Sequence, residues 1–360
     1  MDSPYADLPA RNFWRPSVSD LNPVDWRGLY LKRFDIEPEA RIAAAGSCFA
    51  QHIGRQLRQR GFNFLDLERP PTLLAPERHA DFGYGLYSAR YGNIYSARQL
   101  LQLFQQAFRQ WTPQEGAWMK NGRFHDPFRP SIEPNGFASN EELYVLRKRS
   151  HLPAVRDVFL QCDVFVFTLG LTEAWVSTLD GAVFPVCPGV IAGTFDPALH
   201  RFHNFGFAEV HADMTAFIQA ARSVNPTMKL LLTVSPVPLT ATASNQHVLT
   251  ATTYSKSVLR AVAGALVEEH EFVDYFPSYE IVTAPAMRGM LYAPDMRNVT
   301  AAGVDLVMSH FFSEHPAPES ATAASEAEAL SAMRAAASFE ADVEALGAVC
   351  DEEKLDPLHT

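Results

Sequence analysis

The chain has 360 residues, of which 47% are hydrophobic, so it can bury a large core and is neither disordered nor fibrous. The formal net charge of −11 disfavours a broad electrostatic grip on nucleic acid or on anionic lipid. Residues 317–360 hold ten acidic and two basic residues, a charge of −8, which leaves about −3 for the rest. The ligand of the body therefore need not be strongly charged.

The cysteine pattern and the absence of long apolar runs indicate the compartment. Four scattered cysteines predict reduced thiols, not a disulfide framework or a metal knuckle. Residues 1–15 hold no apolar signal region, and no run approaches the roughly 18 to 20 apolar residues of a membrane span. We expect a cytoplasmic protein with no membrane span, no nucleic-acid partner, and neither a cofactor nor a metal.

The first predicted elements are an arm, a strand and a helix. Residues 1–38 show no sustained periodicity and predict an extended N-terminal arm lying on the body. Residues 41–46 form a short apolar run, which predicts a buried strand. Phe49, Ile53 and Leu57 then recur every four residues, the spacing of an amphipathic helix. The strand therefore runs directly into the helix through a tight Gly-Ser corner.

The same alternation continues downstream and defines the fold class. Helical stripes are predicted within residues 100–108, 155–159, 207–221, 248–268 and 304–311, and apolar strands at 163–170, 229–236 and 272–274. Helices that alternate with uniformly apolar strands predict a parallel sheet covered on both faces. We therefore expect an α/β protein with a three-layer α/β/α body over residues 39–313, whose site lies at the carboxyl ends of the strands.

Two segments fall outside this alternation. Residues 110–150, rich in Trp, Pro and Gly, predict an insertion or lid over the strand ends. Residues 314–360 form an acidic tail rich in Ala and Glu, which offers a possible contact for a partner. Within that tail a short helix is predicted whose shared face holds Phe339, Val343, Leu346 and Cys350.

The serine at the strand-to-helix corner is the first candidate for chemistry. At this place the hydroxyl of Ser47 is presented at the edge of the sheet, and its backbone N–H lies among the unpaired donors of a helix start, where it can help hold an oxyanion. Ser47 can equally be an N-cap, or part of a phosphate or anion site. The residue types alone leave these alternatives open.

Four ordered blocks give the sequence a family resemblance. They are Gly-Ser-Cys-Phe-Ala at 46–50, Tyr-Gly-Asn-Ile-Tyr at 91–95, Leu-Gly-Leu-Thr-Glu-Ala-Trp at 169–175 and Ser-Pro-Val-Pro at 235–238. In this order they resemble the GSCFA-domain family, over about residues 40–310. That family looks like a branch of the SGNH or GDSL-like hydrolases, which implies a flavodoxin-like fold and an esterase or an acyl transferase acting on carbohydrate.

The resemblance also implies roles for individual residues. Ser47 would be the nucleophile, with Cys48 as its rival because a thiolate is intrinsically the better nucleophile. The corner falls on Ser47, however, and Cys48 should turn into the packing face of the helix. Gly92, through its N–H, and Asn93, through its side chain, would hold the oxyanion, although Asn93 can also be a plain turn residue.

The remaining blocks depart from the SGNH pattern. Where those enzymes keep an Asn in the third block, this chain has Gly-Leu-Thr-Glu, so Thr172 or Glu173 would replace it as an oxyanion donor. SGNH enzymes generally finish with Asp-x-x-His, where this chain has Asp-Met-Arg-Asn at 295–298, and Asn298 cannot accept a proton near neutral pH. Asp295 can still orient a base, or it is simply an acidic residue in front of a helix.

The base must then come from elsewhere in the chain. His247 follows the strand at 229–236 by a loop long enough to bend back over the sheet edge, so it is the first choice. His203 precedes a helix on the same face and is the second, and either can instead be a surface or packing histidine.

The sequence thus predicts a serine-dependent acyl-ester hydrolase or O-acyltransferase. Its substrate would be a carbohydrate or a small-molecule acyl ester, handled through an acyl-enzyme on Ser47. The alternative is a non-catalytic carbohydrate-binding or scaffold protein on an SGNH-like fold, because Asn298 stands where a base is expected.

Overall fold

The structure is a computed structural model that describes residues 3–318 and 350–355. Its strands are β1 (Ile42–Gly46), β2 (Trp118–Lys120), β3 (Arg123–His125), β4 (Val164–Leu169), β5 (Glu173–Ser177), β6 (Val183–Phe184), β7 (His200–Asn204), β8 (Lys229–Val234) and β9 (Val273–Tyr275). Its α-helices are α1 (Cys48–Gln59), α2 (Ala97–Ala107), α3 (Asn140–Leu146), α4 (Leu152–Gln161), α5 (Phe207–Val224), α6 (Val248–Glu269), α7 (Ser278–Thr283) and α8 (Ala301–Glu314).

The central sheet is parallel, and its strand order places the site. Strands β1, β4, β8 and β9 are hydrogen-bonded in that order, with Ile42 opposite Val164 and Gly46 opposite Thr168. A further parallel bridge joins Ile42 to Phe64. The chain therefore leaves β1 toward one side of the sheet and returns through β4 on the other side. In open α/β sheets such a switch point opens a crevice at the carboxyl ends of the two strands.

Helices cover both faces of this sheet because its strands are apolar on both. Along β4, Val164 and Val166 face a cluster that includes residues of α1, α7 and α8. The alternating Phe165 and Phe167 face a second cluster formed with α2, α4, α5 and α6. Successive side chains of a strand point to opposite faces, so uninterrupted apolar strands require a cover on each side. The predicted three-layer α/β/α architecture is confirmed.

A second sheet follows the parallel one and was not predicted. β5 begins at Glu173, directly after β4, and pairs antiparallel with β6 and with β7. The predicted insertion at 110–150 contains the hairpin β2–β3 and helix α3. Trp118 of this hairpin packs on Phe184 of β6, with ring centroids 5.0 Å apart. The insertion and the second sheet therefore share a small apolar cluster.

The N-terminal arm packs on the face of the body that α1 and α8 cover. Within the N-terminal arm, Trp26, Tyr30 and Ile36 are buried in the cluster under α1 and α8. The Tyr30 hydroxyl also donates to an Asp274 carboxylate oxygen at 2.9 Å. Of the helix predicted in the acidic tail, Phe339, Val343 and Leu346 lie outside the described residues. Among the described helices, none combines the length and the apolarity that crossing a membrane requires.

Candidate active site

Ser47 occupies the N-cap position of α1, at the carboxyl end of β1. The strand ends on Gly46 with φ +146°, and a Cβ added there would lie 2.5 Å from the carbonyl oxygen of Thr168, so only glycine fits. The Ser47 hydroxyl makes no capping hydrogen bond to the helix. It is buried, and within residues 3–318 and 350–355 its Oγ has no hydrogen-bond partner. Burying a hydroxyl without a partner costs free energy, so this oxygen calls for an explanation.

Ser47 opens on a small cavity at the ends of three neighbouring strands. The cavity has a volume of about 10 Å³, the space of about one water molecule. Its lining comprises Ser47, Cys48, Tyr95, Gly170, Leu171, Ser235, Val237, Pro238, Leu239, Lys256 and Glu352. Gly170, just after β4, lies so near that a Cβ added to it would be 3.2 Å from the Ser47 Cβ. The crevice expected at the switch point is therefore present, and it is narrow.

Lys256 of α6 is the basic side chain among the residues that line this cavity. It is 1% exposed, and its Nζ donates to the Gly170 carbonyl oxygen at 2.6 Å. Burial lowers the pKa of Lys256 to about 8, although the nearby Glu352 acts in the opposite direction. About a tenth of this lysine is therefore uncharged at pH 7, far more than at its ordinary pKa. The sequence analysis missed it, yet a signal existed, because Ser255 and Lys256 are polar residues within the apolar stripe of α6.

The C-terminal segment, residues 350–355, lies across the same cleft. One carboxylate oxygen of Asp351 accepts from Asn93 Nδ2 at 2.9 Å, and the other accepts from the Ser131 hydroxyl. Glu352 lines the Ser47 cavity. Burial raises the pKa of both acids, in Glu352 against the attraction of nearby cations. Glu352 thus occupies space beside Ser47, whereas Asp351 holds the Asn93 amide.

Arg297 belongs to the Asp-Met-Arg-Asn run at 295–298, and its side chain contacts the C-terminal segment. Its Nη2 lies 3.2 Å from Glu352 Oε2, and its side chain is only 12% exposed. Asp295 instead stays at the surface, where Oδ1 accepts from the backbone N–H of Asn298 at 3.0 Å. Its other oxygen accepts from Asn298 Nδ2 at 2.7 Å. The hydrogen bonds between Asp295 and Asn298 therefore close a turn, and from this turn the side chain of Arg297 reaches Glu352.

Asn93 and Gly92, the predicted oxyanion donors, lie in the loop before α2. Asn93 is buried, and its Oδ1 accepts from the Tyr87 hydroxyl at 2.6 Å. This bond turns Nδ2 toward Asp351, whose carboxylate oxygen accepts a hydrogen bond from it. Gly92 has φ +67°, and a Cβ there would lie 3.4 Å from the Arg129 Cβ. Neither residue lines the cavity of Ser47, and their role as oxyanion donors stays a prediction.

Thr172 and Glu173 lie at the start of the second sheet. The Thr172 hydroxyl donates to Asn204 Oδ1 at 2.6 Å, and Glu173 accepts from the Thr242 hydroxyl at 2.7 Å. Neither residue lines the cavity of Ser47. Their role as oxyanion donors stays a prediction that no contact in the described part of the chain supports.

The two predicted histidine bases lie on other elements. His247 is exposed and caps α6, with its Nδ1 accepting from the Leu249 N–H at 3.1 Å. The Nε2 of His203, on β7, lies 2.8 Å from a Glu209 oxygen. As far as the structure describes the chain, no histidine lines the Ser47 cavity, and no three His, Cys, Asp or Glu side chains are grouped to hold a metal ion. The structure therefore does not bring these histidines to Ser47.

Comparison with known proteins bears on this geometry. No curated protein and no solved structure matches the chain. The sequence model of the GSCFA family matches residues 41–311. This range contains Ser47, Asn93, Lys256 and Arg297, whereas the C-terminal segment lies outside it. Because the match covers most of the chain, the protein belongs to the GSCFA family.

Proposed function

We propose that this protein transfers an acyl group from an ester through an acyl-enzyme on Ser47, with Lys256 as the proton acceptor. The observation that carries the proposal is a buried serine oxygen without a hydrogen-bond partner in the described chain, in one cavity with a buried lysine. Serine needs an adjacent base to become a nucleophile, and a lysine can be that base once it is uncharged. The pKa of Lys256, about 8, meets this condition.

The proposed reaction has two steps of the same kind, the acylation of Ser47 and the release of the acyl group to an acceptor. Neutral Lys256 accepts the proton of the Ser47 hydroxyl while Oγ attacks the acyl carbonyl carbon. The bond to the leaving oxygen then breaks, and the ammonium returns its proton to that oxygen. Water or a sugar hydroxyl repeats these steps in the second half and releases the acyl group. The positive N-terminal end of α1 favours the negative oxygen that forms at each attack.

The C-terminal segment must leave before an ester can enter. A volume of about 10 Å³ holds one water molecule and excludes an acyl ester. Asp351 accepts a hydrogen bond from Asn93 Nδ2, a donor that suits an oxyanion. Once the segment withdraws, the same amide can donate to the oxyanion in place of the carboxylate. The described arrangement thus represents a closed state of the enzyme.

The substrate class follows from the family resemblance. We propose a carbohydrate or small-molecule acyl ester, with water or a carbohydrate hydroxyl as the acceptor, and a cytoplasmic reaction. Incubation with an acetylated sugar and a second sugar separates hydrolysis from transfer. Hydrolysis releases acetate, whereas transfer yields a newly acetylated acceptor.

The test compares two serines of the same cavity. Ser47→Ala should lower turnover of p-nitrophenyl acetate by about three orders of magnitude or more, because the acyl-enzyme cannot form. Ser235→Ala is the matched control, since Ser235 only accepts from the Val237 N–H at 3.3 Å. Cys48→Ala tests the rival nucleophile and should keep the activity. Intact-mass analysis after a fluorophosphonate should show one adduct, on Ser47, and unchanged turnover in Ser47→Ala would refute the proposal.

The position of Glu352 at the Ser47 cavity favours a second function. The Glu352 carboxylate of the C-terminal segment lines the Ser47 cavity, and Asn298 stands where SGNH enzymes keep a histidine. A non-catalytic carbohydrate-binding protein is consistent with both observations. Saturable sugar binding without a fluorophosphonate adduct would favour this second function over the first.

A further inference from the structure

A second cavity lies between α2, the insertion and the start of α4. Its volume is about 30 Å³, the space of about two water molecules. Five of the polar side chains that line it are each less than 10% exposed: Gln99, Gln106, Arg129, Arg147 and His151. This cavity shares no lining residue with the cavity of Ser47, and the proposed reaction uses none of these five side chains.

Two buried arginines bring hydrogen-bond donors to this cavity. Arg129 donates from Nε to an Asp126 oxygen at 2.9 Å and from Nη1 to the Arg90 carbonyl oxygen at 3.0 Å. Among the contacts of the described chain, its Nη2 is unused. Arg147 donates from Nη2 to Gln106 Oε1, and its Nη1 lies 3.8 Å from an Asp126 oxygen. Because a guanidinium has five N–H donors and no acceptor, both arginines can still donate to a ligand.

The two glutamines of α2 add further donors. Gln99 accepts through Oε1 from the backbone N–H groups of Tyr95 and Ser96, each at 3.0 Å. Gln106 accepts through its Oε1 from Arg147. Since the oxygen of each side-chain amide is engaged, the group that remains to each glutamine is Nε2, which only donates. A lining of this kind favours a ligand that only accepts hydrogen bonds.

His151 gives the cavity a donor whose charge can change. It is the last residue of a π-helical turn, Arg147–His151, and such turns are frequent at functional sites. Its Nδ1 lies 2.8 Å from Glu68 Oε2, and because a carboxylate only accepts, Nδ1 carries a hydrogen and Nε2 remains for a ligand. Burial and the charge of Arg129 lower the pKa of His151, although Glu68 acts in the opposite direction, so the ring without a ligand is neutral at pH 7.

The charges around the cavity balance while His151 is neutral. The cations Arg129 and Arg147 face two buried carboxylates, those of Glu68 and Asp126. Protonation of His151 adds one positive charge and turns Nε2 into a donor. One monovalent anion then restores the balance, whereas a divalent anion would leave an uncompensated negative charge in a buried place.

We propose that this cavity binds one small monovalent anion, of which chloride is the simplest, between Arg129, Arg147 and His151, and that His151 takes up one proton from the solvent with it. The anion accepts hydrogen bonds from α2, from the insertion and from the π-helical turn before α4. It thus holds these three segments together. The site is independent of the acyl-enzyme on Ser47.

The stability of the full chain measures the binding. Urea unfolding is followed while sodium chloride replaces sodium gluconate at constant ionic strength, because gluconate has the same charge but is too large for a cavity of about 30 Å³. Chloride should raise the urea midpoint, since it binds the folded chain. Above pH 7 its apparent Kd should rise about tenfold per pH unit, because one proton binds with each anion. An unchanged midpoint, or a Kd that does not depend on pH, would overturn the proposal.

Two histidine variants locate the proton. His151→Gln cannot take up the proton, so the effect of chloride should be lost at every pH. His211→Gln is the matched control, because His211 also lies 2.8 Å from a glutamate oxygen, that of Glu269, yet lines neither cavity. It should respond to chloride as the wild type does. A wild-type response in His151→Gln would refute the part assigned to this histidine.

Bromide shows the site directly in the wild type, so this test does not depend on the folding of any variant. Crystals are soaked in sodium bromide, and an anomalous difference map is calculated at the bromine edge. We expect a peak inside the cavity, among nitrogen atoms of Arg129, Arg147 and His151. Peaks on the surface alone would indicate adventitious ions only and would overturn the proposal.

Discussion

Replacing Lys256 with methionine tests the proposed base through stability and through turnover. Burial lowers the pKa of Lys256 from 10.5 to about 8, so between these values the unfolded chain binds more protons than the folded one. Folding is therefore favoured increasingly as the pH rises through this window, by about 3 kcal/mol in total. Methionine has no such titration. The free energy of unfolding of wild type relative to Lys256→Met should rise by that amount from pH 8 to pH 10.5, as measured with urea.

The same substitution should remove catalysis while keeping the fold. In the wild type, kcat/KM for p-nitrophenyl acetate should rise about tenfold per pH unit and level off near pH 8, as the lysine loses its proton. Lys256→Met should lower it by about 10²- to 10⁴-fold, and the exposed Lys148→Met serves as the control. A Lys256→Met enzyme with wild-type turnover and the same pH profile would refute the role of Lys256 as the base.

Three further substitutions test the packing and the charges of the cleft. Gly170→Ala places a Cβ 3.2 Å from the Ser47 Cβ, so it should cost about 1 to 3 kcal/mol in urea unfolding and slow fluorophosphonate labelling, whereas Gly116→Ala, with no atom within 4 Å, should change neither. Two arginines outweigh burial and lower the pKa of Asp126 from 3.8 to about 2, so the stability that its charge provides is present above pH 3.8 and lost toward pH 2. The advantage of wild type over Asp126→Asn should shrink by about 2 kcal/mol in that window, and a constant difference would contradict this origin. Glu352→Gln should speed labelling of Ser47 and move the bend of the pH–rate profile below pH 8, and an upward shift would contradict the charge argument.

The parallel core could be predicted because its signal is local. Apolar strands at 163–170 and 229–236 are too uniform to face water on either side, and the structure places β4 and β8 there. The Gly-Ser corner followed from the change of period at Ser47. The antiparallel sheet begun by β5 was missed, because its strands are short and β6 has only two residues. Pairing between such strands depends on contacts that periodicity does not encode.

Among the residues of the candidate site, only those that directly follow a strand could be predicted from the sequence. Ser47 and Gly170 come after neighbouring strands, so their proximity was implied by the sheet. Lys256 reaches the cleft from the middle of a helix, and only its position in an apolar stripe signals burial. The docking of Glu352 at the Ser47 cavity could not be predicted, since the sequence of a terminal segment reveals its composition but not the surface on which it lies. His247 was chosen for its loop length, whereas the structure uses it to cap α6.

The charges of the cleft connect its closure to its reactivity. Burial and the charge of Arg297 lower the pKa of Lys256, whereas Glu352 raises it. The docked segment therefore favours the charged lysine, which cannot accept a proton from Ser47. On the proposed function, Glu352 leaves with the segment when a neutral ester replaces it, whereas Arg297 stays and favours the uncharged lysine. We therefore propose that withdrawal of the segment both makes room for the substrate and favours the form of Lys256 that can accept a proton.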